Sequence, residues 1–425
     1  MDDLRRRLRR LGVTTGRNFT PRPRPAAGGD IDTLVDGETV ETPSGACFRV
    51  RRVYDAETVH GSRPLAEWLA QEPAALAGLA DDDLLGGVSP ERFVFLDTET
   101  TGLGGGAFAF LIGVGFFNGD GQFEVQQFFL KDPAHEPALL DLLHETLYPD
   151  GALVTFNGRT FDVPLLASRC IMTRRRPLVE MLANLDLLHP ARRLWRRRLP
   201  SCALSALEAD VLGVRRTHQD VPGSLIPCLY RQYLETRNAR DMVRVLYHNE
   251  IDLLSMVSLG ALLARVFQQP DADGLPVDDR LSLAQWYASR GRMREAEAAY
   301  RAAAETAPNA EARHEALEGW AALLKRAGRR EEAVPLWEWL ADLRLDVTGH
   351  VELAKYYEWH ARNLPLALAW TDAGIALAES WRPSWRRTEA LRDLHHRRER
   401  LLRRIARGAA GDDGGEGASA DGLEY

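Results

Sequence analysis

From residue 93 to residue 156 apolar residues come in short solid runs; from 161 onward they recur every three or four positions. The chain therefore reads as a sheet followed by helices. The runs Phe93–Leu96, Ala107–Phe117, Glu124–Leu130 and Ala152–Phe156 predict buried strands, and short turns join the first three into the opening meander of a mixed sheet. A helix is expected over Pro137–Leu147, and Asn157-Gly158 supplies the turn after the fourth strand. Helical spacing resumes at Phe161–Ile171, at Leu204–Leu212 and strongly over Ala239–Phe267. This β-β-β-α-β-α order predicts an α/β domain with a mixed sheet and flanking helices over residues 91–268. Upstream, alternating residues 33–54 around Gly37 and Pro43-Ser44-Gly45 predict a hairpin, followed by short helices at Leu65–Leu79 and Asp81–Leu85. Residues 31–90 are thus expected to form a small N-terminal region, preceded by a flexible Arg/Pro/Gly arm over 1–30.

Beyond a Pro/Gly/Asp linker at 269–277 the pattern repeats. Ala284, Tyr287, Gly291, Ala296, Tyr300 and Ala303 recur as Ala321, Leu324, Gly328, Ala333, Trp337 and Leu340. They recur more loosely as Ala354, Tyr357, Ala361, Leu366, Trp370 and Ala373, at offsets of 37 and then 33 residues. Helix pairs with small and aromatic positions at this period predict tetratricopeptide-like repeats over residues 278–407. The third copy lacks the glycine and carries Pro365. A last helix, Thr388–Arg407, would cap the array, and the Gly/Ala/Asp stretch 408–425 is expected to be a disordered tail.

Charge narrows the possible partners. A formal net charge of −7 over 425 residues argues against a wholesale nucleic-acid coat protein, so any nucleic-acid binding must be local. One local excess exists: residues 159–216 hold twelve arginines against five acids. Such a patch would attract a phosphate backbone, or merely solvate helix faces. Cys47, Cys170, Cys202 and Cys228 form no CxxC pair, which argues against a zinc knuckle or a disulfide framework and fits a reducing cytoplasm. The N-terminal arginines precede no apolar core, so no signal peptide is expected. The longest apolar run, Ala107–Phe117, is too short to span a membrane.

The chemistry begins in FVFLDTETTGL, residues 93–103. On a strand, positions i and i+2 share a face, so Asp97 and Glu99 stand side by side, and two such anions need a proton or a cation between them. Asp162 opens the helix after the fourth strand. His248 and Asp252, in YHNEIDLLSM, share a helix face one turn apart. Asp186, in NLDLLHPAR, is a further acid, read as a support or as a fifth ligand.

The order Asp97-x-Glu99, Asp162, His248-x3-Asp252 resembles the DEDD class of 3′–5′ exonucleases, and most specifically the YprB-type ribonuclease-H-like domain, over about residues 91–267. That resemblance implies an α/β ribonuclease-H-like mixed sheet with flanking helices, and two Mg²⁺ or Mn²⁺ ions. It implies that Asp97 bridges both ions, that Glu99 and Asp252 complete the nucleophile side, and that Asp162 holds the leaving-group side. His248 would position or deprotonate the attacking water, with Tyr247 as its rival, because the usual subclasses place histidine at minus five or tyrosine at minus four from the last aspartate. Thr100, Gly102, Leu103, Asn157 and Arg159 are the expected substrate contacts, Leu103 as a wedge under a terminal base.

Hard oxygen donors in this number suit Mg²⁺ or Mn²⁺ on their own chemistry. Gly102 and Gly104 to Gly106 read as a flexible turn, since no GKS/T follows them. The segment around Tyr230 and Tyr233 is expected to pack the core. Two functions lead on the sequence, ahead of a nucleotidyl-transfer or resolvase-like endonuclease on the same fold, which the acidic pattern favours less. One is a metal-dependent 3′–5′ exonuclease acting on single-stranded RNA or DNA, with a helical repeat module that takes a protein partner. The other is a nucleic-acid-binding or scaffold protein whose nuclease fold is catalytically weak.

Overall fold

The structure is a computed structural model that describes residues 29–102, 106–269 and 274–412, with side chains to 407. All but the last two residues of the expected arm, Leu103 with its neighbours 104 and 105, and everything beyond 412 lie outside the described residues. The chain forms two units. Among the described residues, the first comprises those up to Pro73 together with those of Asp82–Asp186 and Leu212–Leu259; the second comprises Ala74–Asp81, Leu187–Val211 and those from Gly260 onward.

The first unit is built on a seven-stranded mixed sheet. Its strands are β1 (Glu38–Thr42), β2 (Gly45–Tyr54), β5 (Phe93–Thr100), β6 (Ala109–Phe117), β7 (Phe123–Phe129), β8 (Ala152–Thr155) and β9 (Ala183–Asp186). The order across the sheet is β1-β2-β7-β6-β5-β8-β9. Strands β3 (Val59–His60) and β4 (Arg63–Pro64) make a separate small hairpin. The meander β5-β6-β7 is antiparallel, and β8 and β9 are parallel to β5.

Two differences from the sequence reading concern this sheet. The hairpin at 33–54 is no separate region, because β2 pairs along β7 from Phe48↔Phe129 to Tyr54↔Phe123 and extends the sheet. The seventh strand, β9, was not expected: four residues are too few to show a period.

Alternation along β5 divides the core. Phe93 and Phe95 point to one face, where Trp68 meets both edge-on at 5.4 and 4.9 Å and donates its indole N–H to the Pro90 carbonyl. Val94 and Leu96 point to the other, where they join Leu139, Leu143, Leu153 and Leu166 in the main core. Tyr230 and Tyr233, from the helix Ile226–Thr236, are buried in that core, and Tyr230 stacks on Phe110 at 3.9 Å. The helix Arg240–Gln268 supplies Met242, Val245 and Leu246 to it.

In the second unit, seven helices from Val277–Ser289 to Trp385–Asp412 pack each on the next as antiparallel neighbours. The turns inside the first two pairs need a left-handed residue, which Gly291 (φ +71°) and Gly328 (φ +80°) supply. In the third pair Arg362 (φ +53°) takes that conformation, so the turn survives the loss of glycine. The last helix continues to Asp412, five residues past its expected end. Residues 187–211 also belong here and not with the sheet. Their helix Leu188–Trp195 buries Leu188, Ala191, Leu194 and Trp195, and packs against the helix Val277–Ser289. Among the described residues no helix is long and apolar enough to cross a membrane.

Candidate metal centre

Strand β5 carries a bulge between Glu99 and Thr100, which shifts its register against β6 where the carboxylates emerge. Asp97 still lies in the ladder, opposite Gly113 of β6, and Gly113 lies opposite Gln127 of β7. Cross-strand partners share a face, so position 113 opens a gap in that row. Asn249, from the long helix, fills the gap: a β-carbon at 113 would collide with its amide. From there Asn249 Nδ2 donates to Asp97 Oδ2 at 2.7 Å, while its Oδ1 accepts from Gln127 Nε2 at 2.8 Å. Gln127 Nε2 also donates to the Leu246 carbonyl at 2.8 Å. Three strands and a helix thereby fix the direction of one carboxylate.

Asp162 is the first residue of the helix Asp162–Met172, directly after the β8 turn, and the Thr98 hydroxyl donates to it. Asn157 holds that turn in the left-handed region (φ +67°). Asp186, at the end of β9, fastens it by accepting from the backbone N–H of Asn157 (2.7 Å) and of Arg159 (3.1 Å). The Arg159 guanidinium donates to the Asn184 carbonyl (2.6 Å). Asp186 is therefore a turn support. Thr100 donates its hydroxyl to the Gly102 carbonyl (3.1 Å), and Gly102 (φ +152°) has open space beside it.

The helix Arg240–Gln268 brings His248 and Asp252 to the carboxylates. His248 Nε2 lies 3.5 Å from Asp252 Oδ2 and 3.9 Å from Glu99 Oε1. Its Nδ1 lies 2.7 Å from Asp220 Oδ1 and 3.1 Å from the Arg216 guanidinium. A carboxylate only accepts, so the shorter contact assigns the proton to Nδ1 and leaves Nε2 turned toward Glu99 and Asp252. Arg216 also pairs with Asp252. The Tyr247 hydroxyl accepts instead from the backbone N–H of Thr217 at 3.3 Å.

The four acids feel one another. Burial, followed by repulsion from Asp252 and Asp162, holds Asp97 well above the usual carboxylate range; burial and then Asp97 do the same to Glu99. Burial pushes Asp162 up to about 6, against the lowering effect of the Thr98 hydroxyl. A proton or a cation relieves such a cluster, and four hard oxygen donors fit a divalent ion in chemistry. In geometry the cluster is looser: among the described residues, no three His, Cys, Asp or Glu side chains converge closely enough to hold an ion as they stand.

Asn249, Gln127, Asp220 and the role of Arg216 were not singled out from the sequence. Within residues 159–216 several arginines are tied to acids. Arg169 pairs with Glu136 and Arg175 with Asp141; in the second unit Arg197 pairs with Glu315 and Arg198 with Asp279.

A family model described as the RNase_H superfamily matches residues 94–264, a span that includes every acid of this cluster. The chain is also similar to a Bacillus subtilis (strain 168) protein described as "Uncharacterized protein YprB". The two are 32% identical over 327 residues, which covers 75% of this chain and 76% of that one.

Proposed function

We propose that this chain, which belongs to the ribonuclease H superfamily and to the family of YprB, is a metal-dependent nuclease that shortens single-stranded nucleic acid from its 3′ end. The observation that carries the proposal is the meeting of Asp97, Glu99, Asp162 and Asp252 at one end of β5, with the carboxyl pKa raised at Asp97, Glu99 and Asp162 and with His248 beside them. These four carboxylates would hold two Mg²⁺ or Mn²⁺ ions, which supply a hydroxide at neutral pH and neutralise charge on the phosphate.

The remaining work falls to side chains. Asn249 keeps one oxygen of Asp97 in a fixed direction. Asp220 keeps the His248 proton on Nδ1, so that Nε2 can accept a proton from the attacking water. Thr100, Gly102 and Asn157, around the same strand ends, are the proposed contacts of the terminal nucleotide. Arg159, tied to Asn184, is proposed to shape their turn.

The test uses the same oligonucleotide, as RNA and as DNA, labelled at either the 5′ or the 3′ end and incubated with Mn²⁺ or Mg²⁺. A 5′-labelled ladder shrinking stepwise, absent in Asp97→Ala, supports the proposal. Cleavage that survives Asp97→Ala removes the metal assignment, and internal products point to an endonuclease.

A second reading, a nucleic-acid-binding or scaffold protein with weak catalysis, has its own support. Arg216 pairs with Asp252, and the carboxylates do not converge as they stand. Tight binding without cleavage is its signature.

A further inference from the structure

The second unit contains a pocket that the chemistry above does not use. It has a volume of about 360 Å³ and is lined by five cations, Lys325, Arg330, Lys355, Arg397 and Arg400, against one acid, Glu352. Its other walls are aromatic: Trp337, Tyr356 and Trp359, with His360. A second cavity of about 440 Å³ shares Arg330, Tyr356 and His360 with it and is lined in addition by Arg329 and the acids Glu331 and Glu332. Each volume suits a group the size of a nucleotide.

The cations are anchored from below. Glu352 accepts from Lys325 (2.5 Å) and Lys355 (2.7 Å). Glu358, fully buried, accepts from Arg397 (3.0 Å), Arg400 (2.7 Å) and Arg404 (2.9 Å). Two carboxylates thus order five cations and leave a surplus of positive charge. Burial, and after it the neighbouring Arg400, hold Arg397 below the usual guanidinium range, a sign that these charges are crowded. Arg400 and Arg404 also lie over the Trp359 ring, at 5.8 and 4.7 Å, yet that ring stays 55% exposed.

An exposed, guanidinium-braced indole beside ordered cations fits a ligand that has both negative charge and flat apolar faces. Single-stranded nucleic acid has both, and base–aromatic stacking with backbone-tracking cations is how such strands are held without sequence preference. An acidic peptide satisfies only the charge. Lysine use points the same way. The chain has only three lysines, and two of them line this pocket, where a compact ammonium suits a phosphate oxygen.

We propose that this pocket of the helical array binds a short stretch of single-stranded RNA or DNA. Bases lie against Trp359 and Tyr356, and phosphates lie against Lys325, Lys355 and Arg397. The choice of ligand class over a protein rests partly on the nuclease reading; the charge and the rings stand without it.

The test measures binding alone, on the full chain in EDTA, by anisotropy of fluorescein-labelled U12 and dT12. Trp359→Ala and the double variant Lys325→Gln/Lys355→Gln are compared with wild type after circular dichroism confirms their fold. Loss of one stacked base weakens binding roughly five- to a hundredfold, and quenching of tryptophan emission by the oligonucleotide should shrink in Trp359→Ala. Wild-type affinity in both variants overturns the proposal. So does displacement of the oligonucleotide by an oligo-glutamate peptide at equal concentration, which would assign the pocket to an acidic protein. Because no metal is present, absence of nuclease activity leaves this outcome readable, and failure here leaves the cleavage assay unaffected. Differing affinities for U12 and dT12 would identify the preferred strand.

Discussion

Asp97 takes its direction from Asn249, and Asn249 can reach it because position 113 has no side chain. Partners that orient a ligand typically matter about 10–100-fold. Asn249→Ala should therefore lower kcat by about that factor while KM for the oligonucleotide stays put. Gly113→Ala should do the same by displacing the amide, and should lower stability by about 1–3 kcal/mol through overpacking. A variant with wild-type kcat at both positions would show that Asp97 needs no such support. His248→Ala should cost about 10²–10⁴ in rate as a lost proton acceptor, whereas Tyr247→Phe, its hydroxyl engaged with Thr217, should be near neutral. The reverse ranking would return the role to the tyrosine. The acids were legible in the sequence because each stands in a distinctive block: two on one strand face, one opening a helix after a turn, one a turn beyond a histidine. Asn249 was not, since a lone asparagine in a helix carries no spacing signal. Its partners, Gly113 and Gln127, sit in strands that read only as apolar. Asp220 and Arg216 lie outside any regular element, where periodicity has nothing to measure.

The end of β5 makes the fold sensitive to pH in a direction opposite to that of most carboxylates. A carboxyl raised in the folded state binds its proton more tightly there than in the unfolded chain, so the folded state holds more protons and stability falls as pH rises. For Asp162 the window opens at its ordinary value near 4 and closes at about 6; Asp97 and Glu99, both raised by burial, act in the same direction. In EDTA the first unit should lose thermal stability from pH 4 to above pH 6. Mn²⁺ should restore it at pH 7 and add little at pH 4.5, where protons already neutralise the cluster. Equal Mn²⁺ stabilisation at both pH values would mean that the ion binds elsewhere. The helical array has its own buried charge, Glu358, ringed by three arginines. Glu358→Gln should destabilise that unit by about 3–5 kcal/mol, because the arginines lose their shared partner; a separate lower urea transition would report it. The meander and the helix pairs were legible from period alone. The union of β2 with β7 was not, because a hairpin alternates in the same way whether its outer edge stays free or pairs with a distant strand.

A chain of net charge −7 cannot hold nucleic acid through a diffuse positive field, so affinity must come from a few placed cations and rings. That has a measurable consequence, because each phosphate neutralised on a single strand contributes about −0.7 to the slope of log K against log salt. Five lining cations set an upper count, and two of them share Glu352. The slope for U12 in EDTA should therefore be no steeper than about −3.5, and it should become shallower by at most about 1.4 in Lys325→Gln/Lys355→Gln. Stacking is nearly indifferent to salt, so Trp359→Ala should weaken binding at every ionic strength and leave the slope unchanged. The two variants are thus distinguishable by slope and by intercept. A wild-type slope near −7 would mean that many scattered arginines grip the strand, contrary to their pairing with Glu136, Asp141, Asp279 and Glu315.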